Sequence, residues 1–436
     1  MKIRNVLAVV LIALLLLLPT LARWYTEWLW FGEVGYRSVF WVPIVAGAGL
    51  GFAAGLSVFL ILYVNVRPLL RLRPIPRVIE LRAAGGRAVR QIVTRLSPGR
   101  LAIFGALAVA AIAGIAASGG WLQFETLLHQ VPFGTSDPVY GRDVAFYVFT
   151  LPVLQTMYDW LFGWLFVALL IVAVGYYLDL APLAVRGVWA MPRGVRVHLC
   201  ALVGTMALLR AVGFWLQTYG LLYSQRGVVY GAGYADLHAT LPMLRVLVAL
   251  AAITGVLLLA STRARTLRAA GASAAVLGVA WIGGIGLYPQ FVQSFTVAPN
   301  ELRLESPYIK SSIDSTLHAY NLDQVEEKQF AANTDLTPAV IEANRTVLDN
   351  VRLWDDRPLL QTYAQIQSLR LYYTFTSVGI DRYRIGGHEQ QVMLSARELD
   401  VTRVSSDART WVNDHLVFTH GYGLVMSPVN LISGEG

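Results

Sequence analysis

Seven apolar stretches constrain this chain more than any other feature. They lie near residues 6–30, 39–64, 101–122, 151–178, 197–222, 241–262 and 269–290. A helix needs about 20 predominantly apolar residues to cross a bilayer, and each stretch supplies them. In hydrocarbon every backbone N–H and C=O must be satisfied within the protein, so such stretches fold as helices. The composition agrees: 56% of the 436 residues are hydrophobic, 14% are charged and the mean hydropathy is +0.54. Soluble domains average about 45–50% apolar and about 25% charged residues. A disordered chain, a disulfide-rich scaffold and an ordinary cytosolic enzyme are therefore excluded. The single cysteine, Cys200, sits inside an apolar run, so no disulfide can form within the chain.

Charge divides the sequence in two. Residues 1–290 hold 23 Lys and Arg against 9 Asp and Glu; residues 291–436 hold 12 against 18. The high isoelectric point thus belongs to the apolar half. The acidic half lacks a basic stripe with interleaved aromatics, which excludes nucleic acid as a partner. Residues 65–100 carry nine arginines (Arg67, Arg71, Arg73, Arg77, Arg82, Arg87, Arg90, Arg95 and Arg100) and one acid, Glu80. Arg186, Arg193 and Arg196, and then Arg263, Arg265 and Arg268, mark two further basic loops. These alternate with poorly basic loops at 31–38, 123–150 and 223–240. The positive-inside rule places the basic loops and the N-terminus in the cytoplasm. Seven spans then leave everything after Pro289 outside. The first stretch, behind Lys2 and Arg4, has the start of a signal peptide. Its aromatic-rich continuation through Trp30 and the poor cleavage site at Thr20-Leu21-Ala22 favour a retained span. The arginine run of residues 67–100 reads as a topogenic signal, or as a docking site for anionic lipid or a partner.

The expected fold class is mostly α: a transmembrane bundle of seven helices over 1–290, then an α+β extracytoplasmic domain over 291–436 that stops without a closing element. Glycines at every fourth position of the second span, Gly47, Gly51 and Gly55, predict a close helix–helix approach. Charges within spans are costly and therefore candidate functional groups. Asp159 in the fourth span and Arg210 in the fifth lie at matching depths, which predicts an ion pair, serving either as a relay or as a packing device. Arg23, Glu27 and Arg245 lie near the outer interface, within snorkelling reach.

In the outer part, residues 291–300 read as a linker, and Ser306-Pro307 as a helix start running to about Tyr320. Thr337-Pro338 begins a second helix to about Val351, and Pro358 a third to about Tyr373. Ile380–Ile385 and Gln390–Leu399 flank Gly386-Gly387 as a hairpin. A short helix around Arg409–Phe418 precedes the turn at Gly421-Tyr422-Gly423. The polar candidates here are Arg352, Asp355, His388, Asp414, His415 and His420. His415 and His420 are five apart, which suits neither one helix face nor one strand face, so no metal is assigned. Arg352-Leu353-Trp354-Asp355 reads as a salt bridge and buried indole pinning helix ends. No Walker A string, nucleophile elbow or coherent catalytic set occurs, and no cofactor is predicted.

An ordered series of strings carries a resemblance. It includes Trp28-Leu29-Trp30-Phe31, Asp137-Pro138 with Gly141-Arg142-Asp143, Leu222-Tyr223-Ser224-Gln225-Arg226-Gly227, and Val297-Ala298-Pro299-Asn300-Glu301. Pro307-Tyr308-Ile309, Asn350 through Asp355, Gln391 through Leu399 and Thr419-His420-Gly421-Tyr422-Gly423 complete it. With these the chain resembles the bacterial integral membrane proteins grouped as uncharacterised protein family (UPF) 0182. The resemblance implies a multi-pass cell-membrane protein with a large extracytoplasmic region, usually longer than this chain. It brings no catalytic residue. The leading expectation is an envelope-associated binding or assembly protein, with membrane lipids and an envelope protein as partners. The alternatives are a transporter or lipid-handling protein using the Asp159–Arg210 pair, and a membrane-bound enzyme acting on envelope material.

Overall fold

The computed structural model describes residues 3–72, 98–185, 191–263, 267–329 and 336–431. Arg73, Arg77, Glu80, Arg82, Arg87, Arg90, Arg95, Arg186, Arg265 and the C-terminal Gly434-Glu435-Gly436 lie outside these. The chain forms two compact units, one of residues Glu27–Val325 and one of Met1–Thr26 with Glu326–Gly436.

Among the described residues six helices are long and apolar enough to cross a membrane: Arg37–Arg71, Gly99–Ser118, Phe146–Leu180, Arg193–Tyr223, Asp236–Ala260 and Arg268–Ala319. They fall on the second to seventh expected spans. The expected first span is helical as α1 (Ile3–Glu33); the side chains of residues 1–17 lie outside the described set. Helices α2 (Arg37–Arg71) and α3 (Pro98–Ser118) meet along the glycine series. A Cβ at Gly51 would lie 2.8 Å from the Gly114 carbonyl oxygen, and one at Gly55 would lie 2.9 Å from that of Ala110. The backbones touch, so only small residues fit. A short α4 (Trp121–Leu128) follows.

Helices α5 (Leu151–Val185) and α6 (Arg193–Gly220) join α2 through polar contacts. Trp160 Nε1 donates to Ser57 Oγ at 3.0 Å. His198 on α6 contacts Tyr176 Oη of α5 through Nδ1 at 2.9 Å and Asn65 Oδ1 of α2 through Nε2 at 3.2 Å. Helix α7 (Leu241–Ala260) packs on α6 at a second glycine contact, where a Cβ at Gly204 would lie 3.1 Å from the Gly255 carbonyl oxygen. Further along the same pair of helices, Phe214 of α6 packs with Leu244 and Leu247 of α7.

The segment expected as an exit linker is helical. α8 (Arg268–Trp281), α9 (Tyr288–Val292) and α10 (Glu301–Ala319) are joined by wide and tight helical turns into one run of 52 residues. Pro307 therefore lies inside α10 and does not start it. Turns of altered pitch at Gln293–Val297 and Ala298–Asn300 carry the chain through Pro299, so a Pro signal marks no boundary here.

In the second unit Thr337 caps α11 (Pro338–Ala343) by accepting from Val340 N at 3.3 Å. The expected longer helix breaks at Asn344, whose amide donates back to Val340 O at 2.8 Å, and α12 (Arg345–Leu348) is a single turn. Helix α13 (Asp356–Ile366) ends earlier than expected, because Leu369 adopts a φ of 63° and Tyr373 pairs in a strand. Strands β1 (Tyr373–Thr374) and β4 (Glu398–Leu399) pair with each other. Strands β2 (Gly379–Ile385), β3 (His388–Ala396) and β5 (Leu424–Pro428) form an antiparallel sheet with β3 in the centre. The expected hairpin turns at Gly386 and Gly387, with φ of 58° and 87°, the left-handed pair that matches strand twist. Met393, Leu359, Tyr363, Phe375 and Val429 form the core of this unit. Trp354, expected as a buried indole, is 42% exposed.

Candidate functional site

The site is built by two loops and one helix of the Glu27–Val325 unit. In the loop at 129–150 the Asp137 carboxylate accepts from Val139 N (2.9 Å), Tyr140 N (2.6 Å), Arg142 N (2.8 Å) and the Tyr147 hydroxyl (2.8 Å). Asp143 accepts from Ala145 N (2.8 Å), Phe133 N (3.0 Å) and Gly134 N (2.9 Å). Those N–H donors, that of Ala145 foremost, hold the Asp143 carboxyl below its usual range. The Asp-Pro…Gly-Arg-Asp string is thus a device for fixing a turn. Gly141, at a φ of 65°, supplies the left-handed residue it needs. Arg142 stacks over Phe146 at 4.7 Å and Tyr219 at 5.4 Å. Tyr140 donates to Thr218 O at 2.5 Å, and burial pushes its hydroxyl up to about 12.

The loop at 223–240 is organised by an ion pair between Arg226, which is partly open to solvent, and a buried carboxylate. Arg226 reaches Asp236 at 3.1 Å and Thr240 Oγ1 at 2.9 Å, and Asp236 is 2% exposed. A second buried carboxylate, Glu305 of α10, is also 2% exposed and accepts from Tyr234 N at 3.2 and 3.3 Å. A Cβ at Gly233 would lie 3.0 Å from the Glu305 carboxylate, so a larger residue there would press on it. Thr135 Oγ1 and His318 Nε2, 3.4 Å apart, tie the first loop to α10.

Between these parts opens a cleft of about 610 Å³. Pro138 and Val139 line it from the first loop, Tyr230 and Gly231 from the second. The wall of α10 presents Tyr308, Ser311, Ser312, Ser315 and Thr316, a spacing that keeps them on one helix face. Among the described residues the lining contains no charged side chain. A concave apolar surface with a row of hydroxyls can hold an uncharged amphiphile and hydrogen-bond its polar part.

The candidates expected from sequence lie elsewhere. Arg210 donates to Tyr158 Oη at 2.9 Å and stacks on Phe214 at 4.2 Å; Asp159 is exposed on α5, and the two make no ion pair among the described residues. Asp355 caps α13 by accepting from Arg357 N at 3.0 Å, and Arg352 is exposed. His388 begins β3 opposite Ile385. Asp414 pairs with Arg409 at 3.4 Å, His415 stacks on Trp411 at 4.5 Å, and His420 contacts Thr419 Oγ1 at 2.8 Å. Among the described residues no group of three or more His, Cys, Asp or Glu comes together. The Thr419–Gly423 string instead holds backbone: Tyr422 N donates to Arg397 O at 2.9 Å, and Gly421 lies flat against that carbonyl. Sequence reasoning missed Glu305, the Arg226–Asp236 pair and the Tyr176–His198–Asn65 chain. The polar residues Asn65 and His198 inside apolar runs were the available signal.

Comparison with known proteins gives a consistent result. The Uncharacterised protein family (UPF0182) matches residues 4–436. A UPF0182 protein of Pelotomaculum thermopropionicum is 38% identical over 434 residues, covering 95% of this chain and 46% of the relative. One from Synechococcus sp. is 39% identical over 439 residues, covering 97% and 49%. One from Bradyrhizobium diazoefficiens is 38% identical over 441 residues, covering 99% and 48%. The chain thus spans about half the length of the curated relatives it matches. No solved structure matches.

Proposed function

This chain belongs to the Uncharacterised protein family (UPF0182), and from that premise we propose that it is an envelope-associated binding protein, anchored in the cell membrane, whose binding site is the hydroxyl-lined cleft. The observation that carries the reading is the construction of the cleft. Family-resembling strings at Asp137–Asp143, Leu222–Gly227 and Pro307–Ile309 supply its frame or its walls. The residues in them hold backbone and shape a concavity, which is the architecture of recognition. Its occupant on this reading is an uncharged amphiphile with hydroxyl groups.

The charge pattern supports an extracytoplasmic cleft. Arg193 and Arg196 begin α6, and Arg263 and Arg268 follow α7 and begin α8. The cleft-lining Leu222 and Leu241 lie at the opposite ends of α6 and α7. The positive-inside rule then turns the cleft outward. A transport route through an Asp159–Arg210 ion pair has no such pair to use, and the polar candidates of residues 352–420 converge on no common centre.

The test is photolabelling of the protein in phosphatidylcholine nanodiscs with a diazirine-bearing alkyl maltoside. Labels are expected on peptides spanning 222–241 and 307–320, with a loss of at least tenfold in Ser312→Phe and Ser315→Phe. Labelling spread evenly over the lipid-facing helices, unchanged in both variants, would overturn the proposal.

A further inference from the structure

A second cleft, of about 240 Å³, lies at the far end of α2, where its last turns pass the first turns of α3. Tyr63, Arg67, Leu70 and Arg71 line it from one face of α2, and Gly99 and Ala102 from α3. We propose that this cleft binds the head group of an anionic phospholipid.

Four observations carry the inference. Arg67 lies over the Tyr63 ring at 5.6 Å, which holds its stem against the wall and leaves the guanidinium edge for a ligand. Arg71 stands one helical turn further on, so two planar, permanently charged groups border one small space. Neither arginine makes an ion pair among the described residues, and neither α2 nor α3 contains an Asp or Glu. The floor is apolar: Val66, Leu70 and Ile103 continue into membrane-length helices. The ligand must therefore be anionic at one end and hydrocarbon at the other. A phosphodiester offers oxygens to both guanidinium groups, and its acyl chains follow the floor. Gly99 and Ala102 make the room, since larger side chains there would fill the space. The inference rests on the membrane reading and is independent of the hydroxyl-lined cleft.

Native mass spectrometry of the whole chain released from nanodiscs tests it, with phosphatidylglycerol, phosphatidylcholine and inorganic phosphate as separate probes. Phosphatidylglycerol adducts are expected to be retained at least tenfold over phosphatidylcholine and to fall at least tenfold in Arg67→Gln/Arg71→Gln. The Arg67→Lys/Arg71→Lys variant retains part of the binding, because charge remains while the fork geometry is lost. Ala102→Leu, which keeps both charges and fills the cleft, is expected to lose the adduct as well; it serves as the deciding variant if the double glutamine chain fails to fold. Equal retention of the two lipids, or phosphatidylglycerol binding unaffected by these substitutions, would overturn the proposal. So would full competition by millimolar inorganic phosphate, which would assign a free-anion site.

Discussion

His198 shows how much a single side chain settles in this bundle. Asn65 gives its amide N–H to Ile61 O at 2.7 Å, so its Oδ1 is left as an acceptor and His198 Nε2 donates to it. Nδ1 then accepts from the Tyr176 hydroxyl. One chain of donors crosses three helices. Interhelical hydrogen bonds in membranes average about 0.6 kcal/mol and reach about 1.7. His198→Phe removes two and is expected to cost about 1–2 kcal/mol in detergent unfolding, with Tyr176→Phe costing about half. A midpoint equal to the parent's would mean the chain of bonds contributes nothing. Asp143 makes a second prediction. Its folded pKa is depressed, so its stabilising effect is present above the ordinary value of 3.8 and is lost as pH falls through the lower folded value. Asp143→Asn is expected to be less stable at neutral pH and less sensitive to acid below about pH 4, read from unfolding midpoints across pH. The neighbourhood of a charge along its helix was legible in the sequence; its azimuth was not. Asp159 and Arg210 were expected to meet, but adjacent helical residues point about 100° apart, and Tyr158 is the one that faces Arg210.

Among the elements, two glycine signals were read correctly and one proline signal was not. Gly386-Gly387 predicts a tight hairpin because two left-handed residues in succession are cheap only for glycine, and the pair adopts that conformation. The four-residue glycine period predicts a close partner, which is α3. The identity of that partner was not in the period itself. The Ser306-Pro307 signal failed because α10 already begins at Glu301 and carries Pro307 within it. Gly51→Ile is expected to destabilise by about 1–3 kcal/mol, because its Cβ meets the Gly114 carbonyl rather than a yielding side chain. Thermal unfolding measures this, and Gly49→Ile, a position with open space around its Cβ, is the control expected to stay near the parent.

For the molecule as a whole the arrangement makes a topological prediction. With Cys200→Ala as background, a cysteine at Arg193 and one at Gly231 are expected to react with an impermeant maleimide from opposite sides of sealed vesicles, the second from outside. Labelling from one side only would remove the outward orientation of the hydroxyl-lined cleft. The contact between α2 and α3 also bears on how such a bundle shifts. Gly47, Gly51 and Gly55 oppose Ser118, Gly114 and Ala110. Slide α2 by four residues, about 6 Å, and the same glycines oppose Gly114, Ala110 and Ala106. Small meets small again. The seam is a rack with evenly spaced notches, in which intermediate offsets jam and whole-turn offsets fit. What chooses the notch lies on the other sides of α2: the Trp160–Ser57 and His198–Asn65 bonds act as the pawl.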